Sequence, residues 1–157
     1  MDLNVTTIDS DSQVYVDRLR RYINDIAELN VITEIVESED KELFEALQDS
    51  LDDISFTEPI LKDLGYEKFN EVPWNLLRQG AIIQILTSKG ILSARNTLTY
   101  RDNGGVTIQN FDKYGRYMNY YNLLLPKFER NVKGFKISKN IDNAYGGVPS
   151  EYSLLSD

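Results

Sequence analysis

Apolar residues at Val16, Leu19, Tyr22, Ile23, Ile26 and Leu29 recur at intervals of three and four, with Asp17, Arg18, Arg20, Arg21, Asp25 and Glu28 in the remaining positions. That spacing predicts an amphipathic helix with one buried stripe. Asp9, Ser10, Asp11 and Ser12 stand at its start, and the short side chains of these residue types accept hydrogen bonds from the free amides of a first turn. The β-branched run from Val31 to Val36 either extends this helix or leaves it. A second helix is predicted over residues 40–55, with Leu43, Phe44, Leu47, Leu51 and Ile54 on one face. Asp52 and Asp53 fall near its C-terminal end, where the helix dipole disfavours negative charge and limits further extension. Residues 56–72, interrupted by Pro59 and Gly65, read as irregular, with Tyr66 and Phe69 tucking the segment against the core.

Pro73 suits the first turn of a helix, where its missing N–H removes no hydrogen bond. The helix that follows to about Leu92 carries Leu76, Leu77, Ala81, Ile82, Ile83, Ile85 and Leu86. A helix with so little polar surface must be covered on most sides, which makes it the central one. Gly80 inside it costs ~1 kcal/mol relative to alanine, and close approach by another helix would account for it. Residues 96–111 then alternate Thr97, Leu98, Thr99, Tyr100 and Val106, Thr107, Ile108, Gln109 around Asp102-Asn103-Gly104-Gly105. This pattern predicts a β-hairpin. A three-residue loop from Asp102 to Gly104 is expected, because it pairs Tyr100 with Val106 and Leu98 with Ile108 on one face. Asp112 is placed to cap a last long helix, striped by Tyr114, Tyr117, Tyr121, Leu124, Leu125 and Phe128 and running to about Ser138. Pro126 should kink it. Beyond lie turn formers and scattered large apolar residues without a period.

These elements predict a mainly α protein: a helical bundle with a β-hairpin inserted before the last long helix, and an extended C-terminal tail. The organisation expected is one helical domain over residues 1–140, containing the hairpin at 96–111, and a tail over residues 141–157 that becomes ordered against a partner. A length of 157 residues suits one such domain.

Charge adds an asymmetry. Residues 1–75 hold 6 Lys/Arg against 19 Asp/Glu, a balance of −13, whereas residues 76–157 hold 11 against 6, a balance of +5. In a self-assembling protein the acidic half of one copy and the basic half of the next attract each other. No apolar run approaches the roughly 20 residues that span a bilayer. The N-terminus is neither basic nor followed by an apolar stretch, so no signal peptide is expected.

Candidate chemistry is sparse. The chain has no cysteine and no histidine, which removes thiolate chemistry, the commonest general base and the commonest zinc ligand. Asp52 and Asp53 would point about 100° apart on a helix and form no pair over one substrate. The acidic run Glu37, Glu39, Asp40 and Glu42 lacks the spacing and central glycine of a calcium loop. Gly104-Gly105 is followed by no Lys-Ser or Lys-Thr and is a turn, not a phosphate loop. Neither a cofactor nor a metal is implied, and no enzyme activity is expected. Lys127, Arg130, Lys133, Lys136 and Lys139 recur every three residues, a stripe that winds slowly round a helix and can face phosphates or acidic partners. Tyr114, Tyr117, Tyr120 and Tyr121 read as core or interface packing at helical spacing. Tyr120 lies off the main stripe, as a subunit contact would.

Several strings, in order, resemble the head–tail connector, or neck adaptor, family of tailed bacteriophages. They are Val72-Pro73-Trp74-Asn75-Leu76-Leu77 followed by Gly80-Ala81, then Arg95-Asn96, Tyr100-Arg101-Asp102-Asn103-Gly104-Gly105-Val106, Asp112-Lys113 with the Tyr-rich helix, and Lys136-Ile137-Ser138-Lys139-Asn140. The resemblance spans about residues 70–140. It implies a homo-oligomeric ring, usually of twelve subunits, in the neck of the virion and assembled in the host cytoplasm. Such a ring docks under the portal protein, contacts other neck or tail proteins, touches packaged DNA transiently and without sequence preference in its lumen, and involves no membrane. The resemblance implies that the tail reaches the portal or a neighbouring ring, which puts Tyr145, Val148, Pro149, Tyr152, Leu154 and Leu155 at that contact. Arg101 and Asn103 of the hairpin and Lys133, Lys136 and Lys139 of the last helix are the candidates for lumen or subunit contacts. Pro126 and the irregular segment at 56–72 depart from the family pattern. Two other readings fit the residues: another virion structural protein, for tail completion or capsid decoration, and a small phage regulatory binding module.

Overall fold

Asp9 opens the first helix of the computed structural model, which describes residues 8–29, 36–59, 66–95, 99–101, 107–109 and 114–144. Its Oδ1 accepts the amide of Ser12 at 2.7 Å, satisfying one free donor of helix α1, Ser10–Ile23. Asn24 then enters the left-handed region at φ 57°, and the Asp25 amide turns back to the Arg20 carbonyl at 3.2 Å. This left-handed cap ends the helix six residues before the apolar spacing does. Val16 and Leu19 are fully buried, while Leu29, beyond the cap, is exposed.

Helix α2, Asp40–Phe56, buries Leu43, Leu47, Leu51 and Ile54, as the spacing predicts. A 3-10 turn, Phe69–Glu71, follows, its first residue buried with Tyr66 against the core. The Pro73 carbonyl accepts the amides of Leu76 and Leu77 and starts helix α3, Trp74–Arg95. α3 is the central helix. α2 and α4 pack mainly on it rather than on each other, and between Asn75 and Gly90 only Asn75 and Ser88 are exposed. α1 closes the near end, where the Tyr15 ring lies 5.3 Å from Phe69 and 5.8 Å from Trp74. Arg18 covers the Trp74 ring at 4.6 Å and Arg78 covers Tyr22 at 4.0 Å. Each fully buried leucine, such as Leu47 or Leu77, contributes about 1.5–3 kcal/mol of transfer free energy.

Gly80 is the point where three helices meet. A Cβ there would lie 2.1 Å from Ser50 Oγ, 2.9 Å from Ser50 Cβ and 3.0 Å from Phe128 Cζ. The residue is hydrogen where both α2 and α4 press on α3. Ser50, itself buried, donates its hydroxyl to the Leu77 carbonyl at 2.9 Å, so the α2–α3 contact is both close and polar-satisfied.

The expected hairpin is not supported as a unit. Two strands of three residues, β1 Thr99–Arg101 and β2 Thr107–Gln109, pair antiparallel, and the turn between them lies outside the described residues. Their register also differs from the expected one: Tyr100 stands opposite Ile108, and Thr107 opposite Arg101. This pairing leaves five residues between the strands, 102–106, where a three-residue loop was expected. The observed register is displaced by two positions from the expected one.

Helix α4, Tyr114–Ala144, is longer than the periodicity predicts. It runs on through residues 141–144, the first of the expected tail. Its helical assignment is continuous through Pro126. Pro126 lacks the amide that would bond the Asn122 carbonyl, and both residues are exposed. Phe128 and Val132 are its most deeply buried apolar residues. The predicted cap Asp112 lies outside the described residues.

Gly80→Ala should lower stability by about 1–3 kcal/mol through overpacking, despite the better helix propensity of alanine. In a thermal melt the double variant Gly80→Ala/Ser50→Gly should recover part of the loss, because it removes both Ser50 atoms that the new Cβ meets.

Candidate interaction surface

α4 uses one face inside the bundle and leaves the other bare. Tyr117, Tyr121, Phe128, Val132 and Phe135 turn inwards. On the opposite side, residues 120, 123, 127, 130, 134, 137 and 141 follow one another at alternating intervals of three and four. At 3.6 residues per turn they line one side of the cylinder. Tyr120 is 60% exposed, Leu123 70%, Ile137 51% and Ile141 50%, and Lys127, Arg130 and Gly134 between them are exposed as well. A soluble helix ordinarily keeps this face polar. The periodicity alone did not bring out Leu123, Ile137 and Ile141. The legible signal was a second apolar series on the same helix, out of phase with the buried one.

The basic stripe divides. Lys133 and Lys139 are exposed, but Lys136 is only 1% exposed. Its Nζ donates to the Ser55 carbonyl at 2.8 Å and to the Thr57 carbonyl. These carbonyls belong to the C-terminal end of α2, where helix carbonyls lack intrahelical donors and the dipole favours a cation. Burial holds the Lys136 amine below the ordinary lysine range. Lys136 therefore faces neither a lumen nor a neighbour; it ties α4 to α2. Of the other candidates, Arg101 lies in β1 with its side chain outside the described set, and Asn103 lies outside the described residues. So do Tyr145, Val148, Pro149, Tyr152, Leu154 and Leu155.

The acidic run at 37–42 is engaged within the chain. Arg20 donates to Asp40 Oδ1 at 2.7 Å, to the Ser38 carbonyl at 2.7 Å and to Asp25 Oδ2 at 3.2 Å. The Asp25 carboxylate, 6% exposed, also accepts the amides of Glu37 and Ser38 at 2.6 and 2.8 Å. The Arg20 hydrogen bond is the main reason the Asp40 carboxyl sits below the usual carboxylate range. Glu42 accepts the Glu39 amide at 3.2 Å, and Glu37 pairs with Lys89 at 3.5 Å. A shallow cleft lined by Ile23, Asp25, Glu37, Ile82, Ile85 and Lys89 lies beside this network, with its charged groups already in use.

The outer face of α2 carries the acidic charge. Glu42, Glu45, Asp49 and Asp52 line it, with Phe56 at its end, 75% exposed. Lys41 and Glu45 form an exposed pair at 3.8 Å, a geometry that contributes little. Asp53, beside this face, has its pKa raised chiefly by burial, offset by the Gln84 amide at 2.7 Å and reinforced by Asp49 and Asp52. Among the described residues no helix is long and apolar enough to cross a membrane.

No family model matches the chain, and neither a curated protein nor a solved structure does.

Lys136→Met should cost about 1–3 kcal/mol by stripping a buried donor from two part-buried carbonyls, whereas Lys133→Met should stay within about 0.5 kcal/mol of the parent. Chemical denaturation of the two variants makes the comparison. A carboxyl whose folded pKa is raised binds its proton more tightly in the folded state, so ionisation costs stability as pH rises past about 4. Asp53→Asn should therefore melt above the parent at pH 7, and the difference should vanish as pH falls below the carboxylate range.

Proposed function

We propose that this chain is a non-enzymatic structural subunit of the ring that joins head to tail in a tailed bacteriophage. In this reading it docks under the portal protein and leaves a lumen through which DNA passes. The observation that carries it is the bare outer face of α4: apolar residues 50–70% exposed, alternating with cations along a helix of 31 residues, about 46 Å long. Such a face is stabilised when another chain covers it. The mainly helical bundle and the ordered strings over residues 70–140 support the same reading.

The parts then have mechanical roles. The segment 96–111 forms a hairpin inserted before the last helix and carries Arg101 and Asn103 to the lumen or a neighbour. Lys133 and Lys139 face packaged DNA or an acidic neighbour, with weak, salt-sensitive attraction that no base identity governs. Tyr145, Val148, Pro149, Tyr152, Leu154 and Leu155 dock on the portal or on an adjoining ring. The subunits assemble in the host cytoplasm and end in the neck of the virion.

Purified virions examined by mass spectrometry should contain the polypeptide, and imaging should place it between head and tail in a ring, with twelve copies expected. Its absence from mature particles would falsify the proposal. Deleting residues 145–157 should leave the melting temperature of the body nearly unchanged and abolish docking. A large loss of stability in that variant would instead assign the segment to the core.

A further inference from the structure

The two outer faces described above have matching spacing and opposite charge. On α2, Glu42, Glu45, Asp49, Asp52 and Phe56 follow at steps of three, four, three and four. On α4, Leu123, Lys127, Arg130, Gly134 and Ile137 follow at steps of four, three, four and three. Asp49, Asp52, Lys127 and Arg130 make no salt bridge among the described residues. Within one chain the faces do not meet, because α2 and α4 both pack chiefly on α3.

Gly134 supplies an independent observation. Gly80 is explained inside the chain by Ser50 and Phe128, but a Cβ at Gly134 would meet nothing within 4 Å. A glycine in a helix interior costs ~1 kcal/mol, and here no contact within the described chain accounts for it. Its position in the centre of the bare face fits close approach of a second helix.

We infer that the outer face of α4 is the seat for the outer face of α2 from a second copy of this chain. Run antiparallel, the two stripes set Phe56 against Leu123, Asp52 against Lys127 and Asp49 against Arg130. Run parallel, they set Phe56 against Ile137 and again Asp49 against Arg130. The Asp49–Arg130 pair is common to both directions and sits at the middle of the contact, with the apolar side chain of Phe56 buried at one end. Because one face meets a different face, the contact is heterologous, and each copy keeps a free donor and a free acceptor surface until a ring closes. The inference rests on the ring reading for that closure, not for the contact itself.

The test uses the full chain and two single charge reversals, Asp49→Arg and Arg130→Glu. Both positions are exposed, so both variants should melt with the parent. Sedimentation velocity in low salt should show self-association of the parent, weakened about tenfold or more by either reversal. Mixing the two variants should restore it, since every contact in an alternating assembly then pairs arginine with a carboxylate. Gly134→Leu should raise the melting temperature and yet weaken association, a split that a purely structural glycine would not give. Association indifferent to both reversals, or lost in both and not regained on mixing, overturns the inference even if rings are found. A parent that stays monomeric up to about 1 mM, a millimolar dissociation constant being the weakest contact of interest, overturns it too. Closed two-copy particles with the same charge dependence keep the α2–α4 contact and remove the ring.

Discussion

The close approach at Gly80 is the constraint on which the rest of the architecture depends. Ser50 of α2 and Phe128 of α4 both reach the space a side chain at position 80 would fill. With hydrogen there, α3 can be touched by two helices over the same turn. Leu77 and Ala81, flanking it, are fully buried as a result. The Ser50 hydroxyl meets the Leu77 carbonyl instead of water, so the proximity leaves no buried hydroxyl unpaired at the crossing. Dispersion and the hydrophobic effect both act over short range and reward this proximity along the whole length of α3.

Two polar ties hold the ends of the helices that the crossing holds in the middle. Arg20, Asp25 and Asp40 bind the C-terminal end of α1, the segment at 37–39 and the start of α2 into one network, with the Asp25 carboxylate accepting two backbone amides. Lys136 does the complementary work at the other end of α2, supplying a buried cation to carbonyls that have no helical donor. Both ties use charge-assisted hydrogen bonds to groups at helix ends, which are stronger than bonds between neutral partners. What is left outside, among the described residues, is charge and apolar surface with little intramolecular use: Asp49 and Asp52 on the acidic stripe of α2 and the mixed apolar and basic stripe of α4. The functional reading grows from that remainder.

Periodicity located the helices because burial of one face is a local property of spacing. The α2 stripe, the central position of α3 and the glycine at a close contact were all legible from residues three and four apart. The end of α1 was not: Ile26 and Leu29 continue the apolar rhythm, and only the left-handed turn at Asn24 breaks it. The α4 boundary failed in the other direction, since residues 139–144 carry no apolar rhythm strong enough to mark helix, yet the helix runs on through them.

By itself the sequence determined the fold class, the order of the helices, the acidic and basic division of the chain and the scarcity of reactive side chains. Those follow from composition and from short-range spacing. Tertiary structure alone decided which member of the basic series is structural. Lys133, Lys136 and Lys139 look equivalent along the chain, but only Lys136 points at the end of α2, a segment 79 and 81 residues away in sequence. It also decided that a second apolar series on α4, with Leu123, Ile137 and Ile141, stays bare, because spacing that places a stripe on a helix does not state whether a neighbour covers it.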